Sequence, residues 1–155
     1  MTCNLFKNTN LSCEAVAHGS VTMLISGRNI TLYGGAYLNS ISVKGAQLVK
    51  LAAEIDLDYD HKIDIEDFSP PKPEDVLELA QTIRNSKHDV YYIGCLGGYG
   101  RTGTVIAALL ILLRGYSSEY AIKSVRSHIS PRCIETVEQL EFLYKLSSTV
   151  TKLNN

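Results

Sequence analysis

The sequence predicts an α/β fold in which a central, mostly parallel sheet is flanked by helices. Three observations predict it. Strand-like and helix-like segments alternate along the chain. A short apolar strand ends in a glycine-rich loop that runs straight into a helix apolar on nearly every side, the mark of a central helix. Finally, 155 residues, 45% hydrophobic and 20% charged, suffice for one domain with its own core, without metal or disulfide staples.

Taken in order, Val21 to Ser26 and Ile30 to Leu38 are rich in β-branched and aromatic residues and read as strands, with Gly34-Gly35 marking a bulge or tight bend. Gln47 to Ala52 alternates like a strand, with a helix as the alternative over so short a stretch. Pro70-Pro71-Lys72-Pro73 must be extended, because each proline restricts the residue before it. A helix is predicted from Pro73 to Asn85: proline suits its first position, Glu74 and Asp75 suit its positive end, and Val76, Leu79, Ala80 and Ile83 form one stripe. Val90 to Ile93 is a strand, Arg101 to Leu113 the central helix, and amphipathic helices run from Ser118 to Ser130 and from Thr136 to Leu146. The domain 1–155 thus divides into N-terminal strands (1–53), an acidic loop (54–72), a glycine-rich loop (94–103) and C-terminal helices (117–150).

The net charge is −1, which excludes a general nucleic-acid binder, since such a protein needs a large excess of Lys and Arg. The sum hides a pattern. Residues 54–78 alone carry −8, leaving +7 on the rest of the chain for an anionic ligand. The longest apolar run, Val105 to Leu113, is far short of the roughly 20 residues of a membrane span, so no membrane association is expected. No basic flank and apolar run of signal-peptide length opens the sequence, and a cytoplasmic protein is expected. Cys3, Cys13, Cys95 and Cys133 are scattered and indicate neither a disulfide framework nor a zinc site.

The chemistry concentrates in Gly94-Cys95-Leu96-Gly97-Gly98-Tyr99-Gly100-Arg101-Thr102-Gly103. Its C-x5-R-T pattern arises by chance only about 0.02 times in a chain of this composition. Five residues between Cys95 and Arg101 let the loop curl with its backbone N–H groups inward, Gly97, Gly98 and Gly100 supplying unusual φ angles. The following helix adds the positive end of its dipole, and Arg101 can fork onto two oxygens, so Leu96, Gly97, Gly98, Tyr99, Gly100 and Arg101 form a cradle for a phosphate dianion. The same field favours Cys95 as a thiolate nucleophile. Gly98-x-Gly100-x-x-Gly103 also matches a dinucleotide fingerprint, but no strand ending in an acidic residue follows about 20 positions on, and no Walker lysine is present.

These residues resemble the cysteine-based protein phosphatases, in particular the small dual-specificity and kinase-associated group, with their H-C-x-x-G-x-G-R-[ST]-G signature. Asp64-Ile-Glu-Asp67-Phe-Ser-Pro70-Pro71 resembles the family's acidic loop, and Cys133-Ile-Glu-Thr136-Val-Glu-Gln139 its I-E-T-x-x-Q segment. The resemblance implies a phosphatase-like fold with the phosphate loop between strand and central helix, and no metal or other cofactor. It implies that Cys95 attacks phosphorus, that Asp67 (with Asp64 as the alternative) is the general acid of the 54–72 loop, and that Thr102 donates a hydrogen bond to the sulfur. Gln139 would position the hydrolytic water, or else complete a capping box with Thr136. Cys133 is read as a core cysteine, with a reversible disulfide to Cys95 as the alternative. Gly94 departs from the family, which has a loop-ordering histidine there, and Leu96 and Tyr99 do not match the lysine-rich loops of inositide phosphatases. The expected activity is hydrolysis of phosphotyrosine, with phosphoserine and phosphothreonine as further candidate substrates, in a protein or peptide by a monomer. A nucleotide or RNA 5′-phosphatase and a weakly active phosphoprotein-binding module are the alternatives.

Overall fold

The structure, a computed structural model, describes residues 17–154. The first sixteen residues of the expected N-terminal strand region, with Cys3 and Cys13, lie outside the described residues. Strands β1 (Gly19–Ile25) and β2 (Arg28–Ala36) form an antiparallel hairpin. They are followed by a 3-10 turn (Tyr37–Ser42), β3 (Gln47–Lys50), β4 (His61–Lys62), α1 (Pro73–Asn85), β5 (Val90–Cys95), α2 (Gly100–Arg114), α3 (Ser118–His128) and α4 (Val137–Asn154).

The sheet order is β1-β2-β5-β3-β4. Only the β1/β2 pair is antiparallel; β2/β5, β3/β5 and β3/β4 are parallel. The sheet is therefore mostly parallel, and β5 lies at its centre with Cys95 opposite Ala36. Ligand sites in such sheets form beyond the carboxyl ends of the strands, which is where β5 delivers the cysteine.

Helix α2 is buried along almost its whole length, Gly100 to Ile111 without interruption. It packs on β1, β2 and β5 and against α1, α3 and α4, as its all-round apolarity predicts. Its end is set by Gly115, whose φ of +70° gives the left-handed cap. No helix among the described residues is long and apolar enough to cross a membrane.

Several boundaries differ from the sequence reading. Strand β5 runs to Cys95, so the cysteine is itself the last strand residue, and α4 continues to Asn154 rather than Leu146. Gly34 and Gly35 form no bulge; they keep unbroken register with Ile93 and Gly94. Their glycines answer to space instead. A Cβ on Gly34 would lie 2.8 Å from Ile106 Cδ1, and one on Gly35 2.5 Å from Tyr92 Oη.

Candidate active site

Cys95 is 3% exposed at the point where β5 gives way to the glycine-rich loop. Its Sγ accepts hydrogen bonds from the Gly98 N–H at 3.3 Å and the Thr102 hydroxyl at 3.1 Å. The Thr102 oxygen in turn accepts the Cys95 N–H at 3.0 Å. One side chain from the first turn of α2 thus fixes both ends of the cysteine, and two donors are directed at the sulfur.

Of the three glycines expected to supply unusual backbone angles, only Gly98 has a positive φ, +84°. A side chain there would also meet the Gly35–Ala36 backbone at 2.3 to 2.4 Å. At Gly100 a Cβ would lie 2.3 Å from Glu135 Oε1, the end of an exposed side chain that can move aside. Gly97 would make only ordinary contacts. Tyr99, the residue before α2, makes no side-chain cap to the helix, so the first-turn amides are left for an anion.

Arg101 is 2% exposed and gripped on two sides. Its Nη1 donates to the Ile65 carbonyl at 2.8 Å and to Glu54 Oε1 at 3.2 Å, and its Nη2 donates to Glu54 Oε2 at 2.8 Å. Asp67 Oδ1 lies 3.4 Å from the same Nη2. Burial works against the guanidinium charge, but the Glu54 hydrogen bond, with the Cys95, Glu54 and Asp67 charges, outweighs it and raises its pKa. The buried Nε finds no acceptor among the described residues, a donor that a phosphate oxygen would satisfy.

The acidic loop is anchored by buried Ile63 and Ile65 and by the Tyr37 hydroxyl, which donates to the Asp58 carbonyl at 2.5 Å. Asp67 is half-exposed and accepts the Phe68 N–H at 2.9 Å, while Phe68 takes a φ of +65°. Asp64 instead pairs with Lys62 at 3.2 Å. The loop is tied down by the start of α4: the Thr136 hydroxyl donates to the Phe68 carbonyl at 3.0 Å and Gln139 Nε2 to the Ser69 carbonyl at 3.4 Å. Gln139 is fully buried, and its Oε1 accepts the Glu135 and Thr136 amides while Thr136 Oγ1 accepts the Gln139 N–H, a reciprocal cap.

Asp67, Phe68, Cys95, Leu96, Tyr99 and Arg101 are among the walls of one cavity of about 200 Å³, with Arg132 and Glu135 also lining it. Asp64 is not among its walls. Among the described residues no three His, Cys, Asp or Glu side chains converge as a metal site. Cys133 is fully buried against Gly103, and burial pushes its thiol up to about 11.

Two contacts escaped the sequence reading. Glu54 reaches Arg101 across 47 positions, and the His18 ring reaches the Gly97 carbonyl across 79; no spacing rule links residues so far apart. The glycine at 94 also gains a reason. A Cβ there would lie 2.8 Å from Tyr37 Cα and 2.9 Å from the Gly35 carbonyl oxygen, so the chain crossing from β2 excludes any side chain.

Residues 37–115, about half of the chain, match the family described as "Tc-R-P: Polymorphic toxin system, DSP-PTPase phosphatase". An uncharacterised protein of Methanocaldococcus jannaschii is 36% identical over 83 residues, 52% of this chain and 50% of the relative. The chain thus spans about half the length of that curated relative. Among solved structures, Tk-PTP in its active form superposes with a TM-score of 0.62 at 29% identity, over 82% of this chain and 96% of that one. The kinase-associated phosphatase with its catalytic-site cysteine replaced by serine gives 0.65 at 19%, over 88% and 97%. PTPMT1 in complex with PI(5)P gives 0.67 at 15%, over 80% and 94%. The last two share the fold.

Proposed function

The chain belongs to the DSP-PTPase phosphatase family, and from that premise we propose that it hydrolyses phosphotyrosine in proteins or peptides through a cysteinyl-phosphate. The observation that carries this reading is the Cys95 sulfur holding two donors, Gly98 N–H and Thr102 Oγ1–H, in a cavity walled by Arg101 and Asp67.

In the first step a lone pair of the Cys95 thiolate forms the S–P bond while the P–O bond to the leaving group breaks. The loop amides of 96–101 and Arg101 hold the equatorial oxygens as charge develops. Asp67 gives its proton to the departing oxygen. In the second step Asp67, now a carboxylate, takes a proton from water, the water oxygen bonds to phosphorus, and the S–P bond breaks. Thr102 and the Gly98 amide receive the returning thiolate. Gln139, its Oε1 committed to the cap, is assigned the task of holding the acid loop through Ser69, with Nε2 the one group left to orient water.

Asp67 takes the acid role over Asp64 because it lines the cavity and Asp64 pairs with Lys62. A free Cys95 thiol persists most readily where thiols are kept reduced, which agrees with the cytoplasmic location expected from the sequence. The test is phosphate release from phosphotyrosyl peptide in EDTA, run beside phosphoseryl peptide, nucleotide and phosphoinositide substrates. The wild type is expected to favour the phosphotyrosyl peptide, and Cys95→Ser to be inactive. Equal activity of Cys95→Ser would overturn the mechanism, and preference for another substrate would overturn the specificity.

A further inference from the structure

His18 lies just before β1, far in sequence from the loop, yet its Nε2 is 3.0 Å from the Gly97 carbonyl oxygen. A carbonyl only accepts, so Nε2 carries the proton. The imidazole also stacks on the Tyr99 ring, with centroids 4.5 Å apart and planes 6° from parallel. The Arg132 guanidinium packs on the same ring at 4.0 Å. The half of the loop from Gly97 to Tyr99 is therefore held from outside by side chains of two distant segments.

The Gly97 carbonyl and the Gly98 N–H belong to one peptide group. That N–H is one of the two donors to the Cys95 sulfur. The contacts form a line: His18 Nε2–H to Gly97 O, across the peptide plane, and Gly98 N–H to Sγ. A donor on the carbonyl polarises the amide and strengthens its N–H as a donor. The peptide also lies between two glycines, which restrict its rotation least of all residues. If it turned over, the cradle would lose a donor to the sulfur and gain a carbonyl oxygen facing the anion.

Residue 94 has no room for a side chain that could order this loop from within, because the Tyr37 backbone lies 2.8 Å from where its Cβ would be. We propose that His18 is a positioning residue which locks the 97–98 peptide with its N–H on the Cys95 sulfur and so sets the anion affinity of the cradle. The proposal rests on the reading of Cys95 as the nucleophile of a phosphate site.

Two substitutions separate the hydrogen bond from the ring. His18→Phe keeps an aromatic face for Tyr99 and deletes the donor. His18→Gln deletes the ring but places an amide N–H the same number of bonds from Cα as Nε2. In the full chain, alkylation of Cys95 by iodoacetamide is followed at fixed pH with increasing inorganic phosphate as protector, beside the thermal midpoint and phosphopeptide turnover. His18→Phe is expected to need about tenfold more phosphate for half-protection, the scale of a lost hydrogen bond around a charged group, and to lose kcat/KM in parallel. His18→Gln is expected to match the wild type. Wild-type protection by His18→Phe, or equal impairment of both variants, would overturn the proposal. The protection curve needs no turnover, so a phosphate site that fails to hydrolyse is distinguished from a loop that His18 does not hold.

Discussion

The carboxylate of Glu54 lies edge to edge with the guanidinium of Arg101, its two oxygens 3.2 Å from Nη1 and 2.8 Å from Nη2. The pair is asymmetric. Arg101 is 2% exposed and Glu54 is 46% exposed, so the carboxylate holds a buried cation from the solvent side. It fixes the plane of the arginine before any phosphate arrives, and pre-organisation of that kind is where binding energy turns into rate. Glu54→Ala is expected to lower kcat/KM about 10²-fold, measured with an aryl phosphate, because Arg101 keeps its charge and loses its orientation.

The same pair has a pH signature. The Arg101 hydrogen bond holds the Glu54 carboxyl below its ordinary value of 4.5. A group with a depressed folded-state pKa contributes stability that is fully present above the unfolded value and lost as pH falls through the folded one. With Glu54 half in solvent, screening limits this to about 1 kcal/mol or less. Urea midpoints measured downward from pH 5 should fall more steeply for the wild type than for Glu54→Gln; parallel curves would remove the pair from the stability account.

Restoring the family's histidine at 94 is expected to harm the protein. The backbone of Gly35 and Tyr37 occupies the position of the new side chain, and overpacking of this kind costs about 1–3 kcal/mol. Gly94→His should therefore unfold at lower urea and gain no turnover.

Asp67→Asn should reduce kcat by between about 10²- and 10⁴-fold, the range of a lost general acid, with little change in KM. The loss should shrink for aryl phosphates whose leaving groups depart without a proton. A uniform loss across leaving groups would place Asp67 outside the proton transfer.

Thr102→Val keeps the volume but removes the donor to Sγ and leaves the buried Cys95 N–H unpaired, at a cost of about 1–3 kcal/mol. Breakdown of the cysteinyl-phosphate is expected to slow more than its formation. A pre-steady-state burst of aryl product, larger than in the wild type, would report it.

Much of this site was legible in the chain. C-x5-R-T at the junction of an apolar strand and an apolar helix marked the loop whose Cys95 and Arg101 line one cavity with Asp67, and α1 runs over the expected Pro73–Asn85 because its proline, acids and stripe all lie within one element. What was illegible depends on contacts between elements. Gly34-Gly35 read as a bend, whereas the pair serves close packing by Ile106, Thr102 and Tyr92. Glu54 was one acid among ten in a −8 segment, and only the fold shows that it faces Arg101. His18 carried no motif, since its partner is a backbone carbonyl that any sequence supplies. The charge arithmetic pointed to an acidic loop without showing that Tyr37, Thr136 and Gln139 hold it over the cavity.

In the proposed reaction phosphorus passes through the Cys95 sulfur. It is tested most directly by acid-quenching the protein during turnover of an aryl phosphate and mapping the phosphoryl group by mass spectrometry. A phosphorylated peptide bearing Cys95 is expected, more abundant in Thr102→Val and absent in Cys95→Ser. Turnover with no adduct on Cys95 under conditions that preserve thiophosphates, or an adduct on another residue, would contradict it.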